Sequence, residues 1–181
     1  MDKADILLKE YETLRHEILA AMNSRNSILS FGLATIGAIF TASLATQTDS
    51  TPSLLTSLIL ELAVPAISIF VLFMWLGEYQ RMQRAGKFLV GLEKRINDIA
   101  SKSKALLTWE TSLREKQRHM RYPYNTTVLL LVLISVLSQL IGFATMEISS
   151  PMFQTTLIIL GILIHLAIYF YIVLSMNKMR K

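Results

Sequence analysis

The sequence predicts an all-α polytopic membrane protein. Four transmembrane helices form two hairpins, and the first and second helices extend into a cytoplasmic helical stalk. Three observations predict this. Of 181 residues, 52% are hydrophobic and 17% charged, with mean hydropathy +0.46; the charged share lies well below that of soluble domains. The apolar residues collect in four long blocks, without the 3.6- or 2-residue period of a soluble fold. All 18 Lys and Arg residues fall outside those blocks. The pattern excludes an ordinary soluble enzyme, and the absence of Cys excludes a disulfide scaffold, a thiolate zinc site, an iron–sulfur cluster and a Cys nucleophile.

The blocks are Ser27–Gln47, Leu54–Gly77, Thr126–Met146 and Met152–Leu174. Each covers a hydrocarbon core of about 30 Å at about 1.5 Å per residue. Lipid offers the backbone no partners, so spans must be helical. The first block is not a secretory signal, because 26 residues with five acids and four bases precede it. Four basic residues precede the first block, eleven lie between Glu78 and Asn125, and three lie in the tail. The connections near Thr48–Ser53 and Glu147–Pro151 carry none. The positive-inside rule then places both termini and the central segment in the cytoplasm, with the chain in the inner membrane. The resulting divisions are a cytoplasmic helix 1–26, hairpin 27–77, cytoplasmic helical segment 78–125, hairpin 126–174 and basic tail 175–181. Ser50-Thr51-Pro52 and Ser149-Ser150-Pro151 open the second and fourth spans as a hydroxyl N-cap followed by Pro. Trp75, Tyr79, Tyr122, Tyr124, Tyr169 and Tyr171 mark the inner ends of the spans as an interfacial aromatic belt.

Two heptad-like stripes shape the stalk. Leu7, Tyr11, Leu14, Ile18 and Ala21 form one; Met82, Ala85, Leu89, Leu92, Ile96 and Ile99 form the other. No Pro or Gly interrupts residues 2–31, so the first helix should enter the membrane unbroken. The second span should continue to about Ala100 despite Gly86 and Gly91, which cost about 1 kcal/mol each. The two segments are antiparallel, and their stripes close on each other either within a chain or between chains. Ser101–Lys104 breaks the pattern. A short helix follows within 105–121, with Leu106, Trp109 and Leu113 on one side and Trp109 folding back on the stalk. Pro123 ends it and starts the third span.

Ionisable residues inside a membrane are costly, so each is a functional candidate. Glu61 lies roughly 10 Å deep, and Gln139 lies at a similar depth on the third span. A Glu61–Gln139 hydrogen bond would satisfy both, more readily with Glu61 protonated. Pro65 removes a helical hydrogen bond at the Glu61 carbonyl and creates a hinge. Glu61 then serves either as a ring of carboxylates in an oligomeric pore or as a buried polar link between helices. His165 stands alone in the fourth span, so its own helix offers no metal site; it serves either as a pH sensor or proton relay or, the better fit, as a neutral imidazole bonded to a neighbouring helix. In the first span Ser30, Ala34, Ala38 and Ala42 form a small-residue stripe beside Gly37, Thr41 and Ala45. With Thr35 nearby, this face either packs closely against helices or lines a wet pore. Arg114 and His119 share the R-x4-H spacing of one class of ribonuclease sites, but on a helix they lie about 140° apart, which does not support a nuclease. No phosphate loop, metalloprotease motif or nucleophile elbow occurs.

Trp75, Arg81, Arg84, Gly86, Phe88 and Leu92-Glu93, then Leu107-Thr-Trp109-Glu110 with Leu113-Arg114, are similar to a motif of small, uncharacterised bacterial four-span proteins. The run from Glu10 to Arg15 and on to Phe31-Gly32 resembles the first helix of that group. In architecture alone, the chain also resembles the two-span effector modules of nucleotide-signalled antiviral systems, which join a membrane hairpin to cytoplasmic helices. That likeness implies membrane permeabilisation.

The expected function is therefore a homo-oligomeric gated pore or ion channel, and not an enzyme. Thr35, Thr41, Glu61, Gln139 and His165 would be its intramembrane polar groups. Its hinge would be Pro65, and its packing residues Ser30, Ala34, Gly37, Ala38 and Ala42. The expected partners are the lipid bilayer and further copies of the chain, with no nucleic acid, metal or cofactor. The alternative is a membrane scaffold or sensor that recruits a cytosolic protein through its basic helices, with Trp109, Arg114 and Arg118 docking the partner.

Overall fold

The structure is a computed structural model. It describes residues 3–45, 54–100, 105–116 and 121–145, together with 155, 156, 159–161, 163–165, 167, 168, 170–172 and 174. Every regular element among these is helical: α1 (Lys3–Ala45), α2 (Leu54–Leu58), a π-helical turn (Ile59–Ala63), α3 (Val64–Ala100), α4 (Trp109–Lys116) and α5 (Arg121–Thr145). The 43 residues of α1 are unbroken because no Pro interrupts them and its two glycines cost only about 1 kcal/mol each. α3 ends at Ala100 as expected. α5 begins at Arg121, so Pro123 lies in its first turn, where a backbone N–H would have no helical acceptor. The two Ser/Thr-Pro turns, the break at Ser101–Lys104 and the basic tail lie outside the described residues.

The chain divides into two compact units, Met1–Phe31 with Val71–Thr127 and Gly32–Phe70 with Val128–Lys181. In the first, the two stripes meet within one chain. Tyr11, Leu89, Leu92 and Ile96 are buried together, with Leu7, Leu14, Ile18 and Leu107 packed against them. The order is antiparallel: the Tyr11 hydroxyl donates to Glu93 Oε1 at 3.1 Å, while Arg81 Nε donates to Glu17 Oε1 at 3.0 Å. That half-exposed ion pair contributes under about 1 kcal/mol; the buried apolar seam dominates. Ile99 is exposed, so the seam stops before the end of α3. Trp75, Tyr79 and Tyr124 form a ring cluster with centroids 4.8 to 6.1 Å apart, and the Arg25 guanidinium lies 5.3 Å over the Trp75 ring. The expected belt is thus revised at Trp75 and Tyr124: both are buried in the chain's own packing. Aromatic pairing and a desolvated cation–π contact favour that over solvation by headgroups.

The second unit buries hydroxyls alongside apolar residues such as Leu60, Val64 and Leu131. On α5, Leu129, Leu130, Leu133, Leu137 and Leu140 are exposed, while Ser135 and Ser138 are fully buried. An apolar surround explains this, because helices in lipid gain little by burying Leu but much by pairing hydroxyls. Three helical stretches among the described residues, Lys3–Ala45, Leu55–Ala100 and Tyr124–Thr145, are long and apolar enough to cross a membrane. The apolar stretch Ile159–Ile172 is shorter.

Candidate functional site

In the second unit the site begins at Pro65. It offers no N–H to the Glu61 carbonyl, and the Val64 N–H reaches back five residues to the Ile59 oxygen. An α-helix would have paired that N–H with Leu60. The freed Leu60 carbonyl instead accepts the hydroxyl of Ser138 from α5. The expected hinge is therefore a π-turn, a feature concentrated at functional sites. One turn on, the Ser68 hydroxyl donates to the Val64 carbonyl at 2.8 Å.

α5 meets this turn through Gly142. A Cβ there would lie 2.9 Å from the Glu61 nitrogen and 3.0 Å from the Ser57 carbonyl oxygen. Beyond it, the Ser57 and Thr145 hydroxyls pair at 3.1 Å. Thr145 directs its single proton to the Ile141 and Gly142 carbonyls, each at 3.0 Å, so Ser57 is the donor of that pair. Glu61 sits in the middle, 5% exposed, and its buried Oε2 has no hydrogen-bond partner.

The expected Glu61–Gln139 bond does not form. Gln139 instead lies against Gly161, where a Cβ would stand 3.0 Å from its Oε1. The reason is rotation: Ser138 and Gly142 face the π-turn, and Gln139 is turned about 100° away from Ser138. His165 is buried and bonded as expected. Its Nδ1 pairs with the Gly161 carbonyl at 2.7 Å and its Nε2 with the Ser135 hydroxyl. A carbonyl only accepts, so Nδ1 carries a hydrogen; in the neutral ring Nε2 then accepts from Ser135.

On α1, the residues Ser30, Ala34, Thr35, Gly37, Ala38, Thr41 and Ala42 are all exposed. At 100° per residue they share an arc of about 160°, opposite buried Gly32, Ile36 and Ser43. Nothing lies within 4 Å of a Cβ built at Gly37.

The first unit holds a second polar constellation, which sequence reasoning missed. Glu93 is 1% exposed and caps α4 from across the stalk. Its Oε1 accepts the Glu110 N–H at 2.8 Å, and its Oε2 accepts the Thr111 N–H at 3.0 Å and hydroxyl at 2.7 Å. The Tyr11 hydroxyl adds a fourth bond. Burial pushes the Glu93 carboxyl up, but these four donors outweigh it and hold the group below the usual carboxylate range. Burial, with the neighbouring Glu93 charge and hydrogen bond, pushes the Tyr11 phenol up. One helical turn on, Asn97 secures the preceding loop. Its Oδ1 accepts the Leu106 and Leu107 N–H groups at 2.8 and 2.9 Å, and its Nδ2 donates to the Leu107 carbonyl at 2.7 Å. Leu92-Glu93 and Leu107 to Glu110, separate runs in the sequence, thus form one latch. The signal available was a carboxylate beside a buried stripe position, with Asn four residues on.

Trp109 corrects a further expectation. It is 58% exposed, as Leu106 is at 63%, and Leu107 packs on the stalk in its place. The Glu93 cap fixes the rotation of α4 and turns its first residue outward. Arg114 lies on α4; its side chain, Arg118 and His119 lie outside the described residues. No group of three or more His, Cys, Asp or Glu among the described residues could hold a metal ion. Comparison with protein-family models, curated proteins and solved structures finds no match. A functional reading therefore rests on the chain's own residues.

Proposed function

We propose that the chain is a four-span inner-membrane protein, both termini cytoplasmic, that assembles with copies of itself into a gated pore. The carrying observation is the exposed arc of small and hydroxylated residues on α1, placed within its membrane-crossing stretch. Lipid gives such a face no reward, whereas helix association or a hydrated lumen does. Thr35 and Thr41 supply hydroxyls to the axis, and Gly37 sets the closest approach of neighbouring subunits. Glu61 is turned into its own chain, so it acts at the π-turn hinge and forms no ring on the axis.

Gly37→Leu is the direct test. A side chain entering open space changes the melting of a single chain by less than about 0.5 kcal/mol. Under this reading it nevertheless breaks the assembly and abolishes ion flux from reconstituted vesicles. Unchanged subunit number and unchanged flux would sink the pore.

A second reading has its own observation: Leu106 and Trp109 are both exposed in a segment clamped by Asn97 and Glu93. That is the form of a docking site for a cytosolic protein. Trp109→Ala in the full-length chain should then weaken capture of one specific partner at least about tenfold, the loss of a single hot spot, with no effect on flux. Equal capture by both proteins counts against it.

A further inference from the structure

We propose that Glu61 is an exchangeable proton site inside each chain, and that release of its proton opens the contact between the π-turn and α5. The inference deepens the pore reading by naming its trigger, but the site lies wholly within one chain. Three observations carry it. Glu61 is 5% exposed as a residue, its buried Oε2 has no partner, and the backbone of α5 closes on the turn that holds it at Gly142.

An ionised carboxylate in such a place would be stabilised by nothing. α5 brings Ser138, Gly142 and Thr145, and the Ser138 proton is already given to Leu60. The Ser57 hydroxyl is paired with Thr145, and Thr145 with the carbonyls of its own helix. The C-terminal helical residues bring His165, whose two nitrogens are held by Ser135 and Gly161. The membrane stretch of α1 and the rest of α2 and the π-turn carry no charged side chain. A bare charge in an apolar interior is strongly disfavoured, so the group keeps its proton while the seam stays closed. Losing the proton demands water, and water enters only if α5 moves off the turn. The π-turn suits that motion. Leu60 is held by one side-chain hydroxyl instead of a helical N–H, and Pro65 supplies no bond to Glu61.

A hydrophobic carbodiimide tests the proton directly. It adds to a protonated carboxyl in an apolar site: the acid proton passes to a carbodiimide nitrogen, the carboxylate oxygen bonds the central carbon, and nothing leaves. With the intact protein in detergent micelles, mass spectrometry should find the adduct at Glu61 at about pH 7, where exposed carboxylates are ionised and unreactive. The label should fall about tenfold for each pH unit above the midpoint, and Glu93, held ionised, should stay unlabelled. Glu61→Gln mimics the neutral acid, so it should fold, take no label and lack the alkaline drop in melting temperature expected of wild type. Absence of label at neutral pH, a yield independent of pH, or protection by sodium (a metal-cation site) would each overturn the proposal. Labelling without flux would overturn the pore alone; flux without labelling would overturn the proton site alone.

Discussion

Glu93→Ala is expected to detach α4 from the stalk, with a loss of about 2–4 kcal/mol, since each buried donor left without an acceptor costs about 1–3 kcal/mol and the exposed ones turn to water. The truncation leaves the Glu110 and Thr111 N–H groups, the Thr111 hydroxyl and the Tyr11 hydroxyl without their acceptor. Each is a bond to a charged group, worth about 1.5–3 kcal/mol before water compensates the exposed ones. α4 has eight residues, too few to hold a helix alone, so the cap and Leu107 decide whether it forms. Glu93→Gln should recover part of the loss, since the amide still accepts at one oxygen but places a donor against the other N–H groups. Hydrogen exchange at Glu110 and Thr111, alongside the melting temperature of the full chain in detergent, reads the effect. Fast exchange with unchanged melting would show a merely local cap. Exchange as slow as in wild type would refute the latch.

The same network sets a pH dependence whose sign follows from the direction of each shift. Glu93 is held below the usual range, so the unfolded chain binds its proton first as pH falls. Its contribution is complete above the ordinary carboxylate value and is lost as pH drops through the folded one. Tyr11 is pushed up, so its contribution is complete below the ordinary phenol value near about 10 and is lost as pH rises through the folded one. Between these limits the latch is insensitive to pH. The latch therefore does not supply the proton-linked trigger proposed at Glu61.

The long elements were legible because their signals are local and repeated. A heptad stripe uninterrupted by Pro pointed to the first half of α1, and a second to the polar half of α3, which ends at Ala100. Pro65 announced a lost hydrogen bond at Glu61. It could not announce the π-turn, because that depends on a hydroxyl 78 residues away on α5, ready to accept the role of the missing N–H. The buried face of α5 was visible in principle. Val128, Leu131, Ser135, Ser138, Gly142 and Thr145 recur at alternating steps of three and four, but uncharged serines inside a span read as filler until their partners are known. Glu93 was hidden for the opposite reason. A single acid among several on a helix reads as solvated surface, and only the return of the 105–111 segment removes it from water. Trp109 failed through rotation: composition says which residue is apolar, whereas the cap on α4 says which way it points.

Gly142→Val should have the largest effect in the membrane part. Even the first carbon of a new side chain would meet the Glu61 nitrogen at 2.9 Å and the Ser57 oxygen at 3.0 Å. Both are backbone atoms of a helical turn, so neither can swing aside. Relief requires α5 to shift outward, which strains the Ser138–Leu60 bond and the Ser57–Thr145 pair together. Overpacking of this kind costs about 1–3 kcal/mol, and the loss of a buried hydroxyl–carbonyl bond adds about 1 more. Gly161→Ala is the matched control. Its new carbon meets only the Gln139 amide at 3.0 Å, the far end of a side chain that can rotate, so its cost should stay under about 1 kcal/mol. Melting of the two variants in the same detergent gives the comparison. If α5 meets the π-turn backbone as described, Gly142→Val melts well below Gly161→Ala, and it hydrates Glu61, so that the carbodiimide adduct at neutral pH is lost as well. Equal melting of the two would mean that the Gly142 contact opens at little cost. The seal that keeps the Glu61 proton in place would then be gone.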